Sequence, residues 1–123
     1  MIRPLVLLVY ERLLPGGQLV NRLEDLGYRV QSATPSLLPE QCQRDKPLLV
    51  IADLEPTAQH VPSAIATLKH HGETAHIPVI AYAAADNGQL LEAGRAAGAT
   101  LVVNDSAILL HLDQFLEQAL QVD

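Results

Sequence analysis

The sequence has 123 residues, of which 49% are hydrophobic and 18% are charged, a composition that suits one folded core and excludes a disordered chain. Fourteen acidic and eight basic residues give a net charge of −6, which argues against non-specific binding to nucleic acid. The lone cysteine, Cys42, cannot form an internal disulfide and favours a reducing compartment. The first apolar run is too short to span a membrane and has no cleavage site after it, so we predict a soluble, cytoplasmic protein.

Segments of strand length alternate with segments of helical periodicity along the sequence. The apolar runs predict strands at Leu5–Tyr10, Arg29–Ala33, Leu48–Ala52, Ile77–Ala83 and Thr100–Val103. Helical spacing and cap residues predict helices from Gln18 to Gly27, from Pro39 to Arg44, from a cap at Ser63 to Gly72, from a cap at Asp86 or Asn87 to Gly98, and from a cap at Asp105 or Ser106 almost to the C-terminus. Pro15 and the pair Gly16-Gly17 predict a loop at Leu13–Gly17.

This alternation predicts the fold. Strands joined by helical crossovers lie parallel in one sheet, with helices on both of its faces. We therefore predict an α/β protein with a five-stranded, parallel, doubly wound sheet, formed by a single domain over residues 1–123. The third strand is a continuous apolar run, typical of a strand covered on both faces, and Asp53 follows it directly. Because open parallel sheets bind ligands at the carboxyl ends of their strands, Asp53 is the first candidate for function.

Four segments of the sequence resemble the receiver domain of two-component response regulators, each at the place that the order of strands and helices requires. They are Leu26–Val30, Lys46–Pro56, His76–Ile80 and Ala96–Ala99. The resemblance covers nearly the full length of the chain. It implies a flavodoxin-like fold, a three-layer sandwich with strand order 2-1-3-4-5.

The resemblance also implies which positions would form a phosphorylation site. A receiver uses an acid pair to hold Mg²⁺, a phosphoacceptor aspartate, a hydroxyl and a lysine that contact the phosphoryl group, and an aromatic side chain that moves with them. The acceptor position falls on Asp53, which is retained. The other positions fall on Tyr10 and Glu11 for the acid pair, Ala83 for the hydroxyl, Asn104 or Asp105 for the lysine, and Leu101 or Val102 for the aromatic side chain.

Four of these five elements are therefore altered or missing. Losing a cationic partner of a developing oxyanion costs on the order of 3 kcal/mol, and losing the second acid and the hydroxyl adds to that cost. We therefore do not expect efficient phosphotransfer to Asp53. The leading hypothesis is a degenerate receiver, or pseudo-receiver, that acts through protein contacts independently of phosphorylation and is not an enzyme.

Three alternatives stay open. Asp53 can be a polar strand-end residue that only bonds local backbone N–H groups. The chain can instead be a true phosphoacceptor receiver that uses Asp53 and binds Mg²⁺ weakly, through Glu11. It can also be a flavodoxin-like domain that holds a nucleotide or another small ligand near Gly16, Asp53 and Ala84. The leading hypothesis needs no cofactor, although Glu11 and Asp53 together could bind Mg²⁺ weakly, because two oxygen ligands are a poor cage.

The last helix carries an apolar arc that is wider than one packed face requires. In the family, surfaces built from the fourth helix, fifth strand and fifth helix mediate dimers and partner docking, so the resemblance makes Leu109, Leu110 and Phe115 interface candidates. The alternative is that Leu109 packs on the sheet and Leu110 is a scattered exposed apolar residue. The expected partners are proteins of a signalling system, with a homodimer as one option, and neither nucleic acid nor a membrane.

Other candidate residues carry weaker signals. Gly16-Gly17 follows a strand but matches neither phosphate-loop pattern, which favours a tight turn. Neighbours such as His70-His71 point to different sides of a helix, so they are not a metal pair by spacing. We interpret Cys42 as a small helix residue rather than a nucleophile, because no base stands at a spacing that would activate it.

Overall fold

The computed structural model describes residues 4–10, 13–55 and 61–120. The strands are β1 (Leu5–Val9), β2 (Arg29–Ala33), β3 (Leu49–Asp53), β4 (Val79–Ala83) and β5 (Leu101–Asn104). The helices are α1 (Leu13–Asp25), α2 (Leu38–Asp45), α3 (Val61–His70), α4 (Gly88–Ala97), α5 (Asp105–Leu110) and α6 (Leu112–Leu120). Each strand lies within two residues of its predicted bounds.

The five strands form one parallel sheet in the order β2-β1-β3-β4-β5, as predicted. Every residue of β1, β3 and β4 is buried, which explains why these strands are apolar without alternation. The register pairs Val9 with Ala52 and Asp53 with Tyr82. The carboxyl ends of β1, β3 and β4 therefore lie side by side.

Alternate residues of the strands point into two hydrophobic clusters, one on each face of the sheet. The first cluster packs side chains of α2, α3 and α4 against the sheet and includes Leu38, Cys42, Ile65, Leu68 and Ala83. The second cluster packs side chains of α1, α5 and α6 against the opposite face and includes Leu19, Leu23, Ile108, Leu112 and Leu116. This arrangement confirms the doubly wound, three-layer fold.

The predicted loop at Leu13–Gly17 is wrong, because α1 already begins at Leu13. Pro15 lies in the first turn, where its missing N–H breaks no helical hydrogen bond. A Cβ added to Gly16 would lie 2.8 Å from Cγ of the Tyr10 ring. Glycine at this position therefore permits the close approach of an aromatic side chain rather than forming a turn.

Two of the predicted helix starts are also wrong. Helix α3 begins at Val61, so Ser63 lies inside the helix and does not cap it. The last helix is capped by Asn104 instead of Asp105 or Ser106: its Oδ1 accepts a hydrogen bond from the N–H of Ala107 at 2.7 Å. That helix is also interrupted at His111, which separates α5 from α6.

The remaining caps agree with the prediction. Asn87 caps α4, and its Oδ1 accepts a hydrogen bond from the N–H of Leu90 at 3.4 Å. Gly98 ends the same helix with a φ of 102°, a conformation that favours glycine. Across residues 4–10, 13–55 and 61–120, no helix has the length and apolar character needed to cross a membrane.

Candidate functional site at the strand ends

Asp53 is the last residue of β3, and its side chain is completely buried. Its Oδ1 accepts a hydrogen bond from the backbone N–H of Glu55 at 2.9 Å. A contact of this kind was predicted by the alternative in which Asp53 is a polar strand-end residue that bonds local backbone N–H groups. A buried carboxylate needs such donors, because burial without them would carry a large desolvation cost.

Glu55 links the end of β3 to the end of β4. Its Oε2 accepts a hydrogen bond from the backbone N–H of Ala84 at 2.8 Å, across a separation of 29 residues. Next to it, the N–H of Leu54 donates to the carbonyl of Tyr82 at 2.8 Å and extends the sheet by one bond. Glu55 was not among the predicted site residues, although a carboxylate two residues beyond a buried strand is a signal that could have identified it.

At the acid-pair position after the first strand, the residue that the structure describes is aromatic and not acidic. Tyr10 follows β1 and is half-buried, with its ring lying over Gly16 and against the second cluster. The side chain therefore provides packing between β1 and α1. Glu11, the other predicted member of this pair, lies outside the described residues.

The hydroxyl position is filled by a methyl group. Ala83, the last residue of β4, is fully buried in the first cluster, so its side chain belongs to the core. Ala84 is half-buried and Ala85 is exposed. Ala83 therefore provides no side-chain hydrogen-bond donor at this position.

The lysine position carries no cation under either alignment. Asn104 ends β5 and is engaged as the cap of α5, whereas Asp105 is the first residue of that helix. At the aromatic position, Leu101 packs against the second cluster and Val102 against the first. Both residues of β5 are half-buried aliphatic side chains.

The interface candidates of the last helices differ in exposure. Leu110 is 75% exposed, whereas Leu109 is half-buried against the second cluster. Phe115 meets the ring of His111 edge-on at a centroid distance of 6.3 Å. Phe115 also lines a groove of about 290 Å³, here called the α4–β5 groove, whose walls are Ala85, Leu91, Arg95, Val102, Val103, Asn104, Ala107 and Phe115.

The other candidate residues form separate local contacts. Nδ1 of His70 lies 2.7 Å from the carbonyl oxygen of Ala66, and Nε2 of His71 lies 3.2 Å from Nε2 of Gln43. Within the part of the chain that the structure describes, no three His, Cys, Asp or Glu side chains are grouped so that they could hold a metal ion.

No protein-family model matches the sequence, and no curated protein does so either. Solved structures are nevertheless similar over almost the whole chain. The receiver domain of a sensor histidine kinase from Pseudomonas aeruginosa has a TM-score of 0.85 and 19% identity, covering 98% of this chain and 100% of that one. The NtrX receiver domain from Brucella abortus has a TM-score of 0.81 and 16% identity, covering 96% and 99% of the two chains.

A chemotaxis response regulator from Vibrio cholerae, CheY4, gives the same result. Its TM-score is 0.72 at 18% identity, and the similarity covers 92% of this chain and 98% of that one. The similarity to these three structures covers at least 92% of this chain. The chain therefore has the fold of a response-regulator receiver domain.

Proposed function

We propose that this chain is a degenerate receiver: a signalling module that acts through protein contacts and does not depend on phosphorylation of Asp53. One observation carries the proposal. Asp53 is completely buried, and one of its carboxylate oxygens already accepts the N–H of Glu55. A phosphoacceptor has to present a carboxylate oxygen to a phosphodonor, which this arrangement opposes.

The surroundings of Asp53 support the same conclusion on electrostatic grounds. Phosphotransfer concentrates negative charge on the phosphoryl oxygens, and catalysis of it consists mainly of positioning and of charge stabilisation. Here the corresponding positions hold an aromatic ring at Tyr10, a methyl group at Ala83 and the amide of Asn104. None of these three side chains supplies a positive charge.

The residues described at the strand ends also suit Mg²⁺ poorly. Magnesium prefers an octahedral set of oxygen ligands and several retained waters. Asp53 is enclosed, and Oε2 of Glu55 is held by the N–H of Ala84. The similar receiver domain from Pseudomonas aeruginosa has a magnesium ion coordinated in its active-site cleft. The hydrogen bonds that already engage Asp53 and Glu55 support a role for this chain that needs no cofactor.

The proposed role is that of a non-enzymatic, cytoplasmic adaptor. The α4–β5 groove, which has apolar and polar walls, and the exposed Leu110 offer surfaces for a protein of the signalling system, or for a second copy of the chain. The net charge of −6 argues against nucleic acid as the partner. The similar structures reported above are receivers, which does not favour the small-ligand alternative.

The proposal is tested by incubating the protein with acetyl phosphate and Mg²⁺ and measuring its intact mass. We expect the mass of the wild-type protein to stay unchanged, like that of an Asp53→Asn variant, while a phosphorylatable receiver in the same buffer gains a phosphoryl group. Beryllofluoride with Mg²⁺ at sub-millimolar concentration should likewise leave the amide resonances around Asp53 in place. A phosphoryl gain by the wild type that Asp53→Asn abolishes would instead establish the phosphoacceptor alternative.

A further inference from the structure

The side chain of Glu55 connects the segment after β3 to the segment after β4. Its Oε2 accepts the N–H of Ala84 at 2.8 Å, and its own N–H donates to Oδ1 of Asp53 at 2.9 Å. Both hydrogen bonds are partly buried. Glu55 is therefore hydrogen-bonded to β3 through its backbone N–H and to the residue after β4 through its carboxylate.

The contact continues from Ala84 into helix α4. The carbonyl of Ala84 accepts the N–H of Asn87 at 2.9 Å. Asn87 in turn caps the helix: its Oδ1 accepts the N–H of Leu90, and its carbonyl accepts the N–H of Leu91 at 3.2 Å. A continuous series of hydrogen bonds thus connects the end of β3 to the first turn of α4.

A carboxylate is well suited to this position. Hydrogen bonds from a neutral donor to an ionised acceptor are stronger than those between neutral groups, and partial burial reduces competition from water. Without the carboxylate, the N–H of Ala84 would lose this acceptor in a half-buried place, and the turn between β4 and α4 would lose its connection to β3.

We propose that the Glu55 carboxylate is an internal anion that holds the β4–α4 turn, and with it the first turn of α4, in one position. Leu91 and Arg95 of that helix line the α4–β5 groove, so Glu55 acts as a positioning residue for one wall of the groove. The proposal that Glu55 holds this turn depends only on the hydrogen bonds described above. That the groove serves as a docking surface rests on the proposed function.

Three variants separate this role from a general contribution to stability. Glu55→Ala removes the acceptor but keeps the backbone N–H that donates to Asp53. Glu55→Gln keeps an oxygen acceptor on a side chain of the same length and removes its charge. Glu24→Ala, at an exposed position of α1, removes the same amount of charge away from the strand ends and is the matched control.

The measurement is residue-resolved amide hydrogen exchange of the whole chain by NMR. In Glu55→Ala we expect the amides of Ala84, Asn87 and Leu90 to exchange at least about tenfold faster, because a lost hydrogen bond and a loosened turn raise the population of open states. Amides in the centre of β1 and β3 should keep their protection. Glu55→Gln should retain most of the protection, and Glu24→Ala all of it.

Two outcomes would overturn the proposal. One is unchanged exchange of Ala84 and Asn87 in Glu55→Ala, which would mean that the carboxylate does not hold the turn. The other is an equal loss of protection throughout the sheet and α4, which would make Glu55 a general stabilising residue. Neither result depends on whether Asp53 accepts a phosphoryl group, so a failure of this proposal is distinguishable from a failure of the proposed function.

Discussion

Burial determines the chemistry of the cysteine on α2. Cys42 is 1% exposed in the first cluster, and burial, together with the negative charge of Asp45, raises the pKa of its thiol from an ordinary value of 9.0 to about 11. The thiolate is the reactive form of cysteine, so this shift keeps the residue in its inert form at neutral pH. Cys42 therefore acts as a small apolar side chain of the core, as its sequence context indicated.

We predict that Cys42 resists alkylation in the folded protein. At pH 8, moving a thiol pKa from 9.0 to about 11 lowers the thiolate fraction about 100-fold, and the enclosing side chains slow the reagent further. The rate of modification by iodoacetamide should therefore be at least about 100-fold lower in the folded protein than in denaturant. The same sample in denaturant is the control, and equal rates in the two conditions would contradict the burial of the thiol.

Single residues of the sequence were enough to locate the candidate site, but the contacts within it could not be predicted from them. Asp53 was found because a charged residue that ends a continuous apolar strand stands out in any sequence. The role of Glu55 could not be found in this way, because its partner Ala84 is 29 residues distant and donates through its backbone. Such a contact depends on strand order, register and side-chain conformation together.

At the scale of elements, the strands were predictable because burial on both faces produces apolar runs. The first residues of the helices were less predictable from the sequence. A glycine pair after a proline normally favours a loop, yet α1 runs through all three residues. Local preferences of this kind amount to about 1 kcal/mol per glycine, and packing of Leu19 and Leu23 in the second cluster outweighs them.

The two neighbouring glycines of α1 should respond oppositely to substitution. A Cβ at Gly16 would overlap the Tyr10 ring, whereas a Cβ at Gly17 would meet nothing within 4 Å. We expect Gly17→Ala to raise the free energy of unfolding by about 0.5–1 kcal/mol through helix propensity. Gly16→Ala should lower it by about 1–3 kcal/mol, because the ring or the helix must move.

Urea denaturation of both variants measures this difference, and a Tyr10 variant provides the control. In a Tyr10→Ala background the ring is absent, so Gly16→Ala should become neutral or stabilising like its neighbour. Equal effects of the two glycine substitutions in the wild-type background would show that the Tyr10 ring does not restrict Gly16.

At the scale of the whole molecule, the fold follows from one sheet that serves two cores. The alternation of strands and helices predicted parallel crossovers, and the resemblance to receivers implied the strand order that the structure shows. The details that function depends on were not contained in this pattern. The hydrogen bond from Ala84 to the Glu55 carboxylate, for example, joins segments that are 29 residues apart.

Because both clusters share the strands of the same sheet, we predict that the chain unfolds in one cooperative transition. Ile65 of α3 and Ile108 of α5 are completely buried on opposite faces of the sheet. Replacing either by valine should lower the free energy of unfolding by about 0.5–1.5 kcal/mol, since each change removes one buried methylene. The two losses should add to within about 0.5 kcal/mol, because the two side chains lie in separate clusters on opposite faces of the sheet.

Urea denaturation, followed by far-UV circular dichroism and by tyrosine fluorescence, tests this prediction. Each single variant and the double variant should show one transition that is the same by both probes, with an unchanged dependence on urea concentration. Leu110→Ala, at a side chain that is 75% exposed, is the matched control and should change stability by less than about 0.5 kcal/mol. Separate transitions for the two probes, or a variant that shifts only one of them, would mean that the two faces of the sheet unfold independently.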